Sequence, residues 1–112
     1  MDAAALGVVL GNLLENALDA VRDMEPSRRR VELEMSEDSG ELMIMIRDWG
    51  AGIPEHLQDR VFEQGFSTKG AGRGIGLYLV KKHVDTAGGK ITIHSRPGEG
   101  TTVMVRIPFF QK

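Results

Sequence analysis

Asp48 closes an apolar run and is followed by Gly50 and Gly52. A carboxylate at the end of a buried strand needs hydrogen-bond donors, because an unpaired buried charge is costly. Glycines beside it let a flat ligand lie close to the backbone. An adenine meets both conditions, since its exocyclic amine donates where the carboxylate accepts. Guanine would set a carbonyl oxygen there, acceptor against acceptor. A tight turn after a strand uses the same letters, so both uses stand at this point. A second cluster, Gly70-Ala71-Gly72-Arg73-Gly74-Ile75-Gly76, leads into a helical pattern, with Lys69 and Arg73 adding positive charge. Amides freed by glycine to converge at a helix N-terminus form an anion site; a mobile surface loop with capping glycines is the competing use. It is not the dinucleotide fingerprint, because Ile75 and Leu77 fall where a third glycine is required. Nor is it a Walker loop, because no glycine-lysine pair is followed by serine or threonine at the right place. Asp48-Trp49-Gly50 faintly suggests the metal triplet of eukaryotic-type kinases, but the chain lacks their catalytic loop and is far too short for that fold.

The third chemical feature is a pair of carboxamides. Leu6 to Val21 reads as one helix, with Leu6, Val9, Leu10, Leu13, Ala17, Ala20 and Val21 on a broad apolar side. Asn12, Asn16, Asp19 and Asp23 line the other side. Asparagine suits a helix interior less well than Lys, Glu or Arg, so two of them one turn apart are unusual. Magnesium keeps several waters and needs only one or two protein oxygens beside phosphate, a demand one carboxamide can meet.

These features need a scaffold. Arg30 to Met35 alternates and reads as a half-exposed strand; Leu42 to Arg47 is apolar on both faces and reads as a more central one. A polar turn, Ser36 to Gly40, joins them as a hairpin. Pro54 stands where a short helical turn through Val61 would begin. No periodicity is evident from Phe62 to Gly76. A helical stripe then follows, Leu77, Val80, Val84 and Ala87 inward, ended by Gly88-Gly89. Lys90 to Arg96 and Thr102 to Ile107 are two further strands, joined by Pro97 to Gly100. Helix, two strands, loop, helix, two strands suits helices layered on one face of a largely antiparallel sheet.

Composition narrows the class. A chain of 112 residues forms one domain. The net charge of −2 lacks the basic excess of a nucleic-acid binder. With no cysteine there is no disulfide scaffold and no thiolate zinc site. His56, His83 and His94 lie too far apart in sequence for a local ligand pair. No apolar run approaches bilayer-spanning length, and Met1-Asp2 does not open like a signal peptide. The 14 glycines gather in two clusters interleaved with apolar residues, which favours a loop that packs over a flexible linker.

Together, Asn12-Leu-Leu-Glu-Asn16-Ala17, Asp48-x-Gly50-x-Gly52, Phe62 with Phe66, Gly72-x-Gly74-x-Gly76-Leu77 and Gly98-x-Gly100-Thr101 resemble the ATP-binding catalytic domain of bacterial sensor histidine kinases. That family shares the Bergerat fold with gyrase B, heat-shock-90-type chaperones and the mismatch-repair clamp. Phe66 to Lys69 with Arg73 to Leu77 is similar to its citrate and dicarboxylate sensors. The resemblance implies an α+β two-layer sandwich over residues 1–112, with a mixed, mostly antiparallel sheet and helices on one face. It makes ATP and Mg2+ the cofactors and Asn16 the metal ligand, with Asn12 near the phosphates. Asp48 becomes the adenine acceptor, with Gly50 and Gly52 as the floor beneath the base. An ATP lid covers about residues 55–73, Phe62 to Arg73 being its mobile part, and Lys69 and Arg73 are phosphate contacts. Gly72, Gly74 and Gly76 bring amides to the phosphates, Ile53, Phe62 and Leu77 join the binding set, and Thr101 or Thr102 lies near the adenine.

The implied partners are a phosphoacceptor histidine domain and a response regulator, with no nucleic acid and no direct membrane contact. The implied setting is the cytoplasmic part of a membrane-anchored sensor. Two departures stand out. Asp19 replaces a lysine common in the family, which leaves any needed charge to Lys69 or Arg73. The strand normally before the first box, and the acceptor hairpin, are missing, as in an excised domain. Three rivals have named discriminators. A gyrase-like hydrolase needs a glutamate where Asn12 stands, and Glu15 lies about 100° round the helix. A nucleotide-independent module would not bind an ATP analogue. A serine kinase would leave an acid-stable phosphoryl group.

Overall fold

Helix α1 (Ala3–Val21) begins at Asp2, whose Oδ1 accepts the Ala5 N–H at 2.8 Å. This satisfies one of the free donors that every helix start leaves. The structure, a computed structural model, describes residues 1–63 and 76–108. Val9, Leu13, Ala17 and Val21 recur every fourth residue and form the buried stripe of α1. Leu6, Leu10 and Ala20 are only partly buried on its flanks. At 19 residues α1 is long and apolar enough to cross a membrane, which corrects the expectation that no run approaches that length. Its stripe instead fills the core of the domain, where Val9 is fully buried.

A 3₁₀ turn (Pro26–Arg28) leads into β1 (Val31–Asp38), and β2 (Glu41–Asp48) follows. Between them only Ser39 and Gly40 turn the chain, with φ of 53° and 81°. Two left-handed residues are what a type I′ hairpin requires, so the polar turn is tighter than its composition suggests. Another 3₁₀ segment (Glu55–Arg60) begins after Pro54, whose ψ of 138° makes it the cap and not the first helical residue. Beyond the undescribed residues come α2 (Gly76–Thr86), β3 (Lys90–Arg96) and β4 (Gly100–Pro108).

The sheet order is β1-β2-β4-β3, and every pairing is antiparallel. Among the described residues the expected mixed sheet is therefore wholly antiparallel. Ile44 and Ile46 of β2 and Val103, Val105 and Ile107 of β4 face both helices. Val80, Val84 and Ala87, from α2 and its end, complete the layer. Among the described residues every buried hydrophobic is Val, Leu, Ile or Ala. On the open face Met45 pairs with Met104, and with Met43 they are only partly covered. At the β1 edge, Leu33 and Met35 are 42% and 44% exposed, because the helix layer stops short of them.

α2 ends as predicted. Gly88 is left-handed at φ 76°, its N–H reaching the Asp85 carbonyl while Gly89 N–H reaches the Val84 carbonyl. This pair of bonds is a Schellman cap.

Candidate functional site

Asp48 ends β2, paired with Val31 on one side and Thr101 on the other. The residue is buried, at 7% exposure. Oδ1 accepts the Gly50 N–H at 2.9 Å, so the chain's own turn supplies one of the donors the carboxylate needs. A Cβ at Gly50 would lie 2.6 Å from the Ala20 carbonyl oxygen and 2.9 Å from the Ala20 Cβ. A Cβ at Gly52, where φ is 75°, would lie 2.2 Å from the Arg96 carbonyl oxygen. Both glycines are thus demanded by packing within the protein, the first against α1 and the second against the end of β3. The bare backbone expected beneath a base has a fold-level cause as well.

The same contact places the carboxamides. Ala20 sits one turn beyond Asn16, and Asn16 one turn beyond Asn12. At the other end of this line the first residue of α2 closes in. A Cβ on Gly76 would stand 3.2 Å from both Asn16 amide atoms and 3.5 Å from Asn12 Oδ1. The loop after β2, one side of α1 and the N-terminus of α2 therefore form a continuous run. Asn12 donates Nδ2 to the Val8 carbonyl at 2.8 Å, which leaves its Oδ1 toward Gly76. Asn16 is partly exposed. Its neighbour Asp19 is ion-paired to Arg22, its own side chain only 5% exposed.

The loop from Trp49 to Ile53 is stitched to the β3–β4 turn. Gly98 N–H donates to Ala51 O at 2.6 Å, and Ile53 N–H donates to Ser95 Oγ at 2.7 Å. Ser95 Oγ also lies 2.9 Å from Thr101 Oγ1. Gln58 donates Nε2 to the carbonyls of Ile53 and Ser95. Arg28 donates to three carbonyls, those of Trp49, Gly50 and Gly98. The Trp49 ring lies between the guanidinium groups of Arg30 and Arg47, at 4.5 and 4.4 Å. Nothing in the spacing of Arg28, Ser95, Gln58 and Trp49 along the chain marks them for this place. Only the topology, which folds the Gly98 turn onto the loop after β2, brings them there.

The strand period divides the threonine pair. Thr101 lies opposite Asp48 and shares its face, whereas Thr102 lies opposite Arg47 and His94 on the far face of the sheet. Of the pair, Thr101 is thus the one on the Asp48 face. Leu77 packs against the core beside its position at the start of α2. Phe62 is half-buried, with Lys81 Nζ 6.0 Å from its ring centre. Lys69, Gly72, Arg73 and Gly74 lie outside the described residues, as does the lid beyond Glu63. No cluster of three His, Cys, Asp or Glu suited to a metal exists among the described residues. Asn16 fits the different and lighter demand of magnesium, one neutral oxygen beside phosphate.

A four-stranded antiparallel sheet under two helices, with a buried aspartate facing a glycine-approached helix pair, defines a class of nucleotide-binding domain. Residues 1–111 match the family described as histidine kinase-, DNA gyrase B- and HSP90-like ATPase, and the chain belongs to it. Among its relatives is the sensor histidine kinase DcuS of Escherichia coli K12, 42% identical over 95% of this chain and 19% of that protein. DpiB of the same strain is 37% identical over 96% of the chain and 20% of its own length. CitA of Klebsiella pneumoniae is 38% identical over 89% and 18%. The chain thus spans about a fifth of these sensor histidine kinases. Among solved structures, the mycobacterial sensor histidine kinase MprB superposes with a TM-score of 0.80 at 30% identity, covering 96% of this chain and 72% of that one. The catalytic domain of histidine kinase ThkA, in a nucleotide-free form, gives 0.76 at 28%, covering 96% and 68%.

Proposed function

We propose that this domain binds Mg-ATP and delivers the γ-phosphoryl group to a histidine on a separate phosphoacceptor domain, from which a response regulator is served. The observation that carries this reading is the run from Asp48 through Gly50 and Ala20 to Asn16, Asn12 and Gly76. Its two ends suit the two ends of ATP. Asp48 accepts from the exocyclic amine of the base. Near the far end, the start of α2 offers amide donors to phosphate. Asn16 would hold magnesium, which neutralises charge on the phosphate oxygens when bound. Phosphoryl transfer asks the protein mainly for positioning and for charge stabilisation, and Lys69 and Arg73 supply the remaining positive charge.

Transfer is favoured over hydrolysis by what is absent one turn before Asn16. Asn12 stands there, with its amide nitrogen on the Val8 carbonyl, and a carboxamide cannot take a proton from water. Glu15 is exposed on another side of α1 and does not replace it. Kinship with citrate and dicarboxylate sensors supports a place in the cytoplasmic part of a membrane-anchored receptor. The test is titration with a fluorescent ATP analogue in magnesium, followed by incubation with a supplied acceptor domain and ATP. Saturable binding and acid-labile phosphate on the acceptor are expected. A flat titration removes the nucleotide reading. Rapid phosphate release to water without acceptor replaces transfer by hydrolysis.

A further inference from the structure

Arg28 sits just before β1, outside every motif of the site, yet it makes three hydrogen bonds to the loop and turn that flank Asp48. Its Nε donates to Trp49 O at 3.1 Å, and its Nη2 donates to Gly50 O at 2.9 Å and Gly98 O at 2.7 Å. The Trp49 carbonyl and the Gly50 N–H belong to one peptide unit. That N–H is the donor to Asp48 Oδ1 at 2.9 Å. A cation on the carbonyl end of a peptide strengthens the donor at its amide end, since linked hydrogen bonds polarise one another. Arg28 therefore acts on Asp48 through one peptide while locking the two segments on either side of it. We propose that Arg28 is a positioning residue for base recognition, holding the Asp48 carboxylate and the Trp49–Gly52 backbone in the geometry that distinguishes adenine from guanine; this rests on the nucleotide reading above.

Lysine keeps the charge but lacks the planar fork that reaches three acceptors at once. Trp49 is the chain's single tryptophan, so its fluorescence reports on this loop without any nucleotide. The neighbouring Arg29 is the control, because its Nε bonds the Met24 carbonyl at 2.7 Å, outside the loop. The test compares wild type, Arg28→Lys, Arg28→Gln and Arg29→Lys by fluorescent ATP analogue titration in magnesium. ATP and GTP serve as competitors, and acrylamide quenching of Trp49 and thermal melting are measured in parallel. Both Arg28 variants are expected to bind ATP about tenfold more weakly, the scale of a lost charge-assisted hydrogen bond. Their ATP-over-GTP preference should shrink and Trp49 should become easier to quench, while Arg29→Lys matches wild type. A purely structural role would lower the melting temperature and leave the folded fraction with unchanged affinity and base preference. That result overturns the proposal. If Arg28→Gln does not fold, Arg28→Lys decides. A flat wild-type titration overturns the nucleotide reading and this role with it, and is distinguishable because the loss is then not confined to the Arg28 variants.

Discussion

At the scale of single residues, Asp48 and the glycines around it play unequal parts. Asp48→Asn removes a charged acceptor and should weaken ATP binding about ten- to a hundredfold, the equivalent of ~1.5–3 kcal/mol. The analogue titration checks this, and unchanged affinity would remove Asp48 as the base-reading group. Gly50→Ala acts on the fold instead. Its new methyl would meet the Ala20 carbonyl at 2.6 Å, a backbone group that cannot rotate away. Overpacking of this kind costs about 1–3 kcal/mol, so thermal melting should drop by several degrees. Gly76→Ala meets the Asn16 amide at 3.2 Å and Asn12 Oδ1 at 3.5 Å, both on side chains that can give way. Melting should move little there while magnesium-dependent nucleotide binding falls, because the displaced group is the proposed ligand. All three residues were legible as special in the sequence. The reasons for the two glycines were not, since Ala20 lies 30 positions from Gly50 and Asn16 lies 60 from Gly76 along the chain.

At the scale of elements, periodicity locates both α-helices and all four strands of the described residues. It fails where tertiary partners decide. Hydrophobic alternation marks Val31, Leu33 and Met35 as one side of a strand, but cannot show that the helix layer ends before reaching Leu33 and Met35. Thr101 and Thr102 are adjacent letters with equal claims until the Asp48–Thr101 register puts them on opposite faces. Thr101→Val should therefore alter nucleotide affinity, and Thr102→Val should not, in parallel titrations. Equal effects from the two would contradict the face assignment. Arg28, Ser95 and Gln58 had no sequence signal, because long-range hydrogen bonds to backbone N–H and C=O groups leave no pattern of spacing.

At the scale of the molecule, the proposed base-reading aspartate and the proposed metal ligand are held by different elements, β2 and α1. Whatever separates those elements should abolish binding before it abolishes secondary structure. Stepwise urea unfolding, followed by far-ultraviolet circular dichroism and analogue release, checks that order. The composition of the interior has another effect. All six methionines lie among the described residues and none is buried, and the chain contains no cysteine. Peroxide can thus convert every thioether to a sulfoxide without placing a polar oxygen inside the aliphatic layer, where such a change is most disruptive. A domain built this way should keep its shape through an oxidative burst, with the damage confined to partly or fully exposed positions.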